Sequence, residues 1–150
     1  MARSKKPTIL IVDDELDILL PLAEALSDVM PAARFYPAAT AQEALEYASG
    51  NDVDVVITDH RMPGMTGEEL LQVLTRTESR PAGIIMTAYP DQGLLWRTRQ
   101  DGVTRPVLTK PFDMAVLTTV LTSLLERRRA EGQSAVAPIP HPGFRAQTNR

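Results

Sequence analysis

A short apolar run that ends in one carboxylate constrains this chain more than any other stretch. Val53 to Thr58 are mostly β-branched, Asp59 follows, and Pro63 and Gly64 form a turn. A run too short for a helix and bounded by turn formers is typical of a strand buried on both faces, as in parallel sheets. Asp59 would lie at the carboxyl end of that strand, where open α/β sheets bind ligands. Taken alone, Asp59 is equally well explained as a turn residue.

The same alternation of apolar strand and amphipathic helix continues along the chain. Further strands are predicted at residues 8–12, 33–36, 83–87 and 106–109. Helices are predicted at residues 16–29, 40–49, 67–74, 90–100 and 113–129, with Thr40 and Glu43 as a capping box. Pro21 requires the first helix either to start late or to kink. Five strands alternating with five helices predict a three-layer α/β domain with a parallel sheet.

Composition restricts the domain organisation and the kinds of partner. The 43% apolar and 23% charged content suits one globular domain, at residues 7–129, followed by a Pro-rich flexible tail at 130–150. A net charge of -3 argues against nonspecific nucleic-acid binding, so no DNA binding is expected. There is no cysteine and no run long enough for export or for spanning a membrane. We therefore expect a cytoplasmic protein.

Three consecutive arginines, Arg127, Arg128 and Arg129, end the predicted closing helix. Cations in the last turn of a helix compensate its dipole, and this is the interpretation that we prefer. A nucleic-acid-binding patch is the alternative.

Polar residues stand at the ends of four of the five predicted strands: Asp13 and Asp14, Asp59, Thr87 and Lys110. Each has a simple explanation alone, since Asp14 and Thr87 could cap helices and Lys110 could be a surface cation. Together they predict a site, because three clustered carboxylates repel one another unless a cation lies among them. Oxygen ligands that leave room for water suit Mg²⁺. A lysine and a hydroxyl beside the ion would complete a pocket for a phosphoryl group.

The residues around these positions form four ordered motifs. They are Asp13-Asp14-Glu15, Asp59-x-x-Met62-Pro63-Gly64-Met65-Thr66-Gly67, Thr87-Ala88-Tyr89 and Lys110-Pro111-Phe112. At this spacing the chain resembles the receiver domain of two-component response regulators over residues 7–129. The resemblance implies a doubly wound, flavodoxin-like sheet with strand order 2-1-3-4-5.

The resemblance also implies a role for each site residue. Asp59 would be the phosphoacceptor for a histidine kinase or a histidine phosphotransfer protein. Asp14, Asp59 and the backbone carbonyl of Arg61 would ligate Mg²⁺, with Asp13 acting through a water molecule. Lys110 would pair with the phosphoryl oxygens, and Thr87 would move to hydrogen-bond one of them. A cis peptide bond between Lys110 and Pro111 is implied as well.

Two departures from the family pattern concern how the signal leaves the site. Val107 stands where the family usually has Tyr or Phe, and Arg99 lies where the fourth helix often buries an apolar residue. We hypothesise that Tyr89 replaces the missing ring or, with Arg61, shields the phosphoryl group from water. Alternatively, Tyr89 is an ordinary loop residue. The face made by the fourth helix, fifth strand and closing helix would bind a downstream protein. Homodimerisation is a further possibility.

These expectations define a leading function and two alternatives. The leading one is a phosphoacceptor that signals by phosphorylation-dependent protein–protein interaction and whose only chemistry is its own phosphoryl transfer and autodephosphorylation. The first alternative is an adaptor of the same fold that binds its partner without phosphorylation. The second is a Mg²⁺-dependent phosphatase, but such sites usually place a second acid two residues after the nucleophile, where this chain has Arg61.

Overall fold

Five parallel strands form a single sheet in the computed structural model, which describes residues 5–90, 93–94 and 105–136, with side chains as far as residue 132. The strands are β1 (Thr8–Val12), β2 (Arg34–Ala38), β3 (Val55–Asp59), β4 (Ala82–Thr87) and β5 (Val107–Thr109). The helices are α1 (Leu16–Val29), α2 (Ala41–Gly50), α3 (Gly67–Leu74) and α4 (Met114–Val136), the last being the predicted closing helix. No helix of these residues is long and apolar enough to cross a membrane.

The sheet has the order β2-β1-β3-β4-β5, so the predicted topology is confirmed. Every neighbouring pair is parallel, and the registers align the strand ends, with Asp59 opposite Met86 and Thr87 opposite Thr109. β1 and β3 lie side by side although α1, β2 and α2 separate them in sequence. Carboxyl ends of β1, β3, β4 and β5 therefore meet at one edge of the sheet.

Apolar side chains cover both faces of the sheet, as the near-continuous β1 and β3 sequences predict. On one face Ile9, Ile11 and Ile57 pack with residues of α1 and α4. On the other face Leu10 and Val56 pack with residues of α2 and α3. All five of these side chains are fully buried, and each contributes about 1.5–3 kcal/mol of hydrophobic stabilisation. This burial makes the strands a rigid support for the residues at their ends.

The helix starts show how far local sequence signals hold. α1 begins at Leu16 with Pro21 inside it, so it does not start late; Pro21 and Asp17 are exposed, and water can reach the carbonyl that lost its donor. Thr40 caps α2 as predicted by accepting from the Glu43 N–H at 3.0 Å. The Glu43 carboxylate accepts from the Ala39 N–H at 2.8 Å, one residue before the cap, so the predicted capping box is only half formed.

The last helix differs from its sequence-based prediction. α4 runs to Val136, so residues 130–136, which were assigned to the flexible tail, are helical. The arginines at 127–129 therefore precede the last turn, and dipole compensation does not account for them. The rest of the predicted tail and most of the predicted fourth helix, including Arg99, lie outside the described residues. The domain limits 7–129 stay a prediction.

Candidate functional site

Three carboxylates meet at the ends of β1 and β3, where the order of the strands in the sheet reverses. Asp13 and Asp14 directly follow β1, and Asp59 is the last residue of the adjacent β3. One oxygen from each lies within 4.8 Å of the others. The chain leaves β1 and β3 toward opposite faces of the sheet, which makes this edge the switch point at which doubly wound folds bind ligands. The clustering expected from the sequence is present.

Lys110 reaches this cluster from the end of β5. Its Nζ lies 2.7 Å from Asp59 Oδ1 and 3.1 Å from Asp13 Oδ2. The Asp13 side chain is fully buried, whereas 12% of the Asp59 side chain and 17% of the Lys110 side chain are exposed. The Lys110 N–H donates to the Thr87 carbonyl, which ties this turn to β4, and the Lys110-Pro111 bond is cis. Lys110 is thus the counter-charge that holds two acids together.

The pKa values of both Asp59 and Lys110 are raised, for different reasons. Burial raises the pKa of Asp59, and the neighbouring Asp13 and Asp14 raise it further, while the hydrogen bond from Lys110 partly opposes the shift. Burial would lower the pKa of Lys110, but hydrogen bonds to Asp59 and Asp13 outweigh it, and the net shift is upward. Asp59 therefore carries its charge at a cost, which an added cation would relieve.

Thr87 stands at the end of β4, buried and beside the cluster's edge of the sheet. Its Oγ1 accepts a hydrogen bond from the Tyr89 N–H at 3.1 Å. The Tyr89 side chain is 75% exposed, so in this conformation the ring fills no internal space. Val107 is half-buried and packs against the apolar cluster on the α2 and α3 face. The structure thus places Tyr89 near Thr87 in the chain but outside the core.

Gly67, His60 and Arg61 lie close to Asp59 in the chain, and the close packing at Gly67 and the burial of His60 were not predicted from the sequence. Gly67 accommodates the close approach of α3, because a Cβ there would collide with the Asp59 carbonyl oxygen and lie 2.9 Å from the Thr58 side chain. His60 is buried, with Nε2 3.9 Å from Glu68 Oε1. Arg61 is exposed, and its carbonyl as a ligand stays a prediction. Gly67 is part of the motif that begins at Asp59, so the sequence did mark its position. The burial of His60 could not be predicted, because a single polar residue leaves no periodic pattern in the sequence.

The donor set of the cluster fits a hard divalent cation. All three side chains offer carboxylate oxygens, and Asp14 is exposed, so one side stays open for water or a phosphoryl group. Mg²⁺ keeps several waters and takes only one or two protein carboxylates directly. Asp13 already accepts from the Glu15 N–H at 2.9 Å, which holds its carboxylate in place.

Comparison with known proteins agrees with this geometry. The family model for the response regulator receiver domain matches residues 9–122. A response regulator receiver protein of Anaeromyxobacter sp. (strain Fw109-5) is 38% identical over 102 residues, which are 68% of this chain and 42% of that protein. Sporulation initiation phosphotransferase F of Bacillus subtilis is 31% identical over 106 residues, 71% of this chain and 83% of that protein.

A solved structure shows the same fold. The signal receiver domain of an HD domain-containing protein from Pseudomonas fluorescens Pf-5 superposes with a TM-score of 0.75 at 29% identity, covering 84% of this chain and 99% of that domain. The chain spans less than half of some of the longer relatives that it matches, 42% of one and 32% of another.

Proposed function

Because this chain belongs to the receiver-domain family of two-component response regulators, we propose that Asp59 accepts a phosphoryl group from a phosphohistidine. The supporting observation is the convergence of Asp13, Asp14, Asp59 and Lys110 at the switch point. In this step an Asp59 carboxylate oxygen attacks phosphorus, the P–N bond breaks, and the imidazole of the donor leaves with a proton. The donor is a sensor histidine kinase or a histidine phosphotransfer protein.

Asp14, Asp59 and the Arg61 carbonyl would hold Mg²⁺, with Asp13 acting through a water molecule. When bound, the ion supplies positive charge that offsets the negative charge of the transferring group. Asp59 can then approach an anionic donor, which the bare acid cluster would repel.

Lys110 and Thr87 would receive the transferred group. Lys110 Nζ already contacts Asp59, so a small rotation brings it to the phosphoryl oxygens, where a point charge and three donors are useful. Thr87 Oγ1 accepts from the Tyr89 N–H, and a hydroxyl that accepts can still donate its own proton to a phosphoryl oxygen. A shift of Thr87 would carry the loop after β4 with it.

The output would be a change in protein–protein affinity. β5 ends directly before Lys110, and α4 begins shortly after it. Together with the predicted fourth helix, β5 and α4 would bind the downstream partner. The protein acts as a signalling phosphoacceptor, and its only reactions would be its own phosphorylation and autodephosphorylation.

A chemical phosphodonor tests the acceptor assignment. Phosphoimidazole carries the same kind of P–N bond as phosphohistidine, and with Mg²⁺ it should add one base-labile phosphoryl group to the peptide that contains Asp59. Asp59→Asn should abolish this label. Asp54→Asn is the matched control, because Asp54 precedes the same strand at the other edge of the sheet and should label normally. A label that survives in Asp59→Asn would contradict the assignment.

A phosphorylation-independent adaptor is the second candidate function, because Val107 stands where the family usually has an aromatic residue. A branched aliphatic side chain packed in the core cannot swing as a ring would, so the usual coupling has no aromatic at this position. The two functions differ in one measurement: partner affinity should change on phosphorylation in the regulator and stay constant in the adaptor.

A further inference from the structure

A cavity of about 290 Å³ lies at the edge of the sheet opposite the acid cluster. The start of β4, the distal half of α4 and the segment before β5 enclose it. Four arginines and one glutamate line it: Arg80, Arg105, Arg127, Arg128 and Glu131. We call it the arginine cavity. These side chains give it a formal excess of three positive charges in a chain whose net charge is -3.

Arg128 fixes the wall of this cavity. Its two terminal nitrogens donate to the carbonyls of Arg80 and Ser79 at 2.8 and 3.0 Å, and its Nε lies 3.6 Å from Asp54 Oδ1. These contacts attach α4 to the loop before β4. Two of the three consecutive arginines of α4, Arg127 and Arg128, thus line one cavity. This position explains their presence, which compensation of the helix dipole does not.

The other two arginines of the cavity, Arg80 and Arg105, have unusual backbone or burial states. Arg80 has a φ of 44°, which lies in the left-handed region that favours glycine and that a non-glycine residue adopts only under strain. Arg105 is only 6% exposed, although arginine is almost never this buried without polar partners. Arg105 also interacts elsewhere in the protein, so its charge is shared rather than spent on the cavity alone. A strained backbone such as that of Arg80 is common at ligand sites, where the surrounding structure maintains it.

We propose that the arginine cavity binds a small phosphate-bearing anion. The planar guanidinium fork binds phosphate and carboxylate in a bidentate manner. The terminal nitrogens of Arg128 already donate to two backbone carbonyls and Arg105 has other partners, so Arg80 and Arg127, both exposed, supply the forks that a ligand would engage. A single carboxylate has two oxygens and fills one fork, whereas a diphosphate can engage the forks of Arg80 and Arg127 together and carries more of the negative charge that the cavity's excess positive charge favours. The volume lies at the lower end of small-molecule sites, so a compact ligand fits and a nucleic acid does not. This site shares no residue with the proposed phosphoacceptor site.

Calorimetric titration with inorganic pyrophosphate in metal-free buffer at about 150 mM salt tests the proposal. Without a metal ion the acid cluster repels the probe, so binding there does not interfere. The wild type should show saturable binding at one site. Arg127→Gln should weaken it at least about tenfold. Arg129→Gln is the matched control, because Arg129 is an adjacent exposed arginine of α4 that lines a different cavity, and it should change affinity less than about twofold.

The remaining outcomes overturn the proposal. Unsaturable or absent binding at millimolar pyrophosphate would show that the arginines do not form a site. Equal losses in Arg127→Gln and Arg129→Gln would show a diffuse charge effect. Citrate that binds as tightly as pyrophosphate would contradict the choice of phosphate. Circular dichroism of both variants checks that each is folded, which their exposed positions lead us to expect.

Discussion

Replacing Lys110 with methionine should destabilise the protein, and the size of the loss follows from the distances at the acid cluster. Lys110→Met keeps most of the stem and removes the charge that lies 2.7 Å from Asp59 and 3.1 Å from Asp13. At an effective dielectric constant of about 20, these contacts are each worth about 5–6 kcal/mol before desolvation. The repulsion between carboxylate oxygens within 4.8 Å, about 3.5 kcal/mol on the same scale, is then left unopposed.

Protonation limits this loss. Instead of bearing the repulsion, one carboxyl can take up a proton, which at pH 7 costs about 4 kcal/mol for an ordinary aspartate and at pH 5 about 1.5 kcal/mol. The raised pKa of Asp59 lowers this cost of protonation, and so the maximum loss of stability, further. Removal of a buried lysine also recovers its desolvation cost. We therefore expect a loss of about 3 kcal/mol at pH 7 and about 1 kcal/mol at pH 5.

The direction of the pH dependence follows from both shifts. Lys110, with its pKa raised, gives stability that is fully present below its ordinary pKa, so it is constant between pH 5 and 7. Asp59, with its pKa also raised, is destabilising above its folded pKa, and this penalty vanishes as the pH falls toward the ordinary value of 3.8. Removing Lys110 removes the hydrogen bond that opposes the shift, so the pKa of Asp59 is raised further in the variant, which then carries the larger penalty. The variant's deficit relative to the wild type should therefore shrink on acidification.

Urea unfolding followed by circular dichroism in Mg²⁺-free buffer measures the loss at both pH values. Lys5→Met is the matched control, because the Lys5–Asp52 pair is 67% and 73% exposed, is screened by water, and should contribute almost nothing to the free energy of unfolding. A Lys110→Met variant as stable as the wild type at pH 7, or equally destabilised at pH 5, would refute the reasoning.

Three further predictions concern the metal, the turn and the loop. Millimolar Mg²⁺ should raise the melting temperature, because a hundredfold excess of the ion over its Kd adds about 2.7 kcal/mol to the free energy of unfolding. Asp14→Ala should remove most of this gain, and a melting temperature that does not change with Mg²⁺ would contradict the prediction. Gly67→Ala should cost more than about 2 kcal/mol in urea unfolding because its Cβ would meet the Asp59 carbonyl, whereas Gly50→Ala, with nothing within 4 Å, should not. Tyr89→Ala should leave stability unchanged and shorten the phosphoryl lifetime; an unchanged lifetime leaves Tyr89 without a shielding role.

The sheet and its acid cluster were predictable because burial on both faces leaves a plain mark in the sequence. The β3 run is typical of a buried strand, which puts Asp59 at its end, and the same argument placed Asp13, Thr87 and Lys110. Asp59 alone was equally well explained as a turn residue, and only the joint pattern at four strand ends predicted a site. These positions depend on strand order alone and tolerate errors of a residue or two in each boundary. Side-chain chemistry at strand ends is therefore the most predictable part of the site.

Other features depend on contacts that a single sequence does not display. Residues 130–136 looked like the start of a tail because prolines follow them, yet the local residues favour a helix and α4 continues to Val136. The Glu43 carboxylate accepts a hydrogen bond from the N–H of Ala39 and not from that of Thr40. This difference of one residue depends on the path of the backbone before α2. The burial of His60 and Arg105 arises from tertiary packing, and isolated polar residues give no periodic pattern.

The dependence of Asp59 phosphorylation on a divalent cation tests the central claim most directly. The measurement is the rate of phosphoimidazole labelling over a Mg²⁺ titration, read by intact mass and assigned by peptide mapping. The account predicts a rate that saturates with Mg²⁺, a label on Asp59, and almost no labelling in chelator, because the bare acids repel the donor. Labelling that proceeds equally fast without any divalent cation, or that falls on another residue, would contradict it.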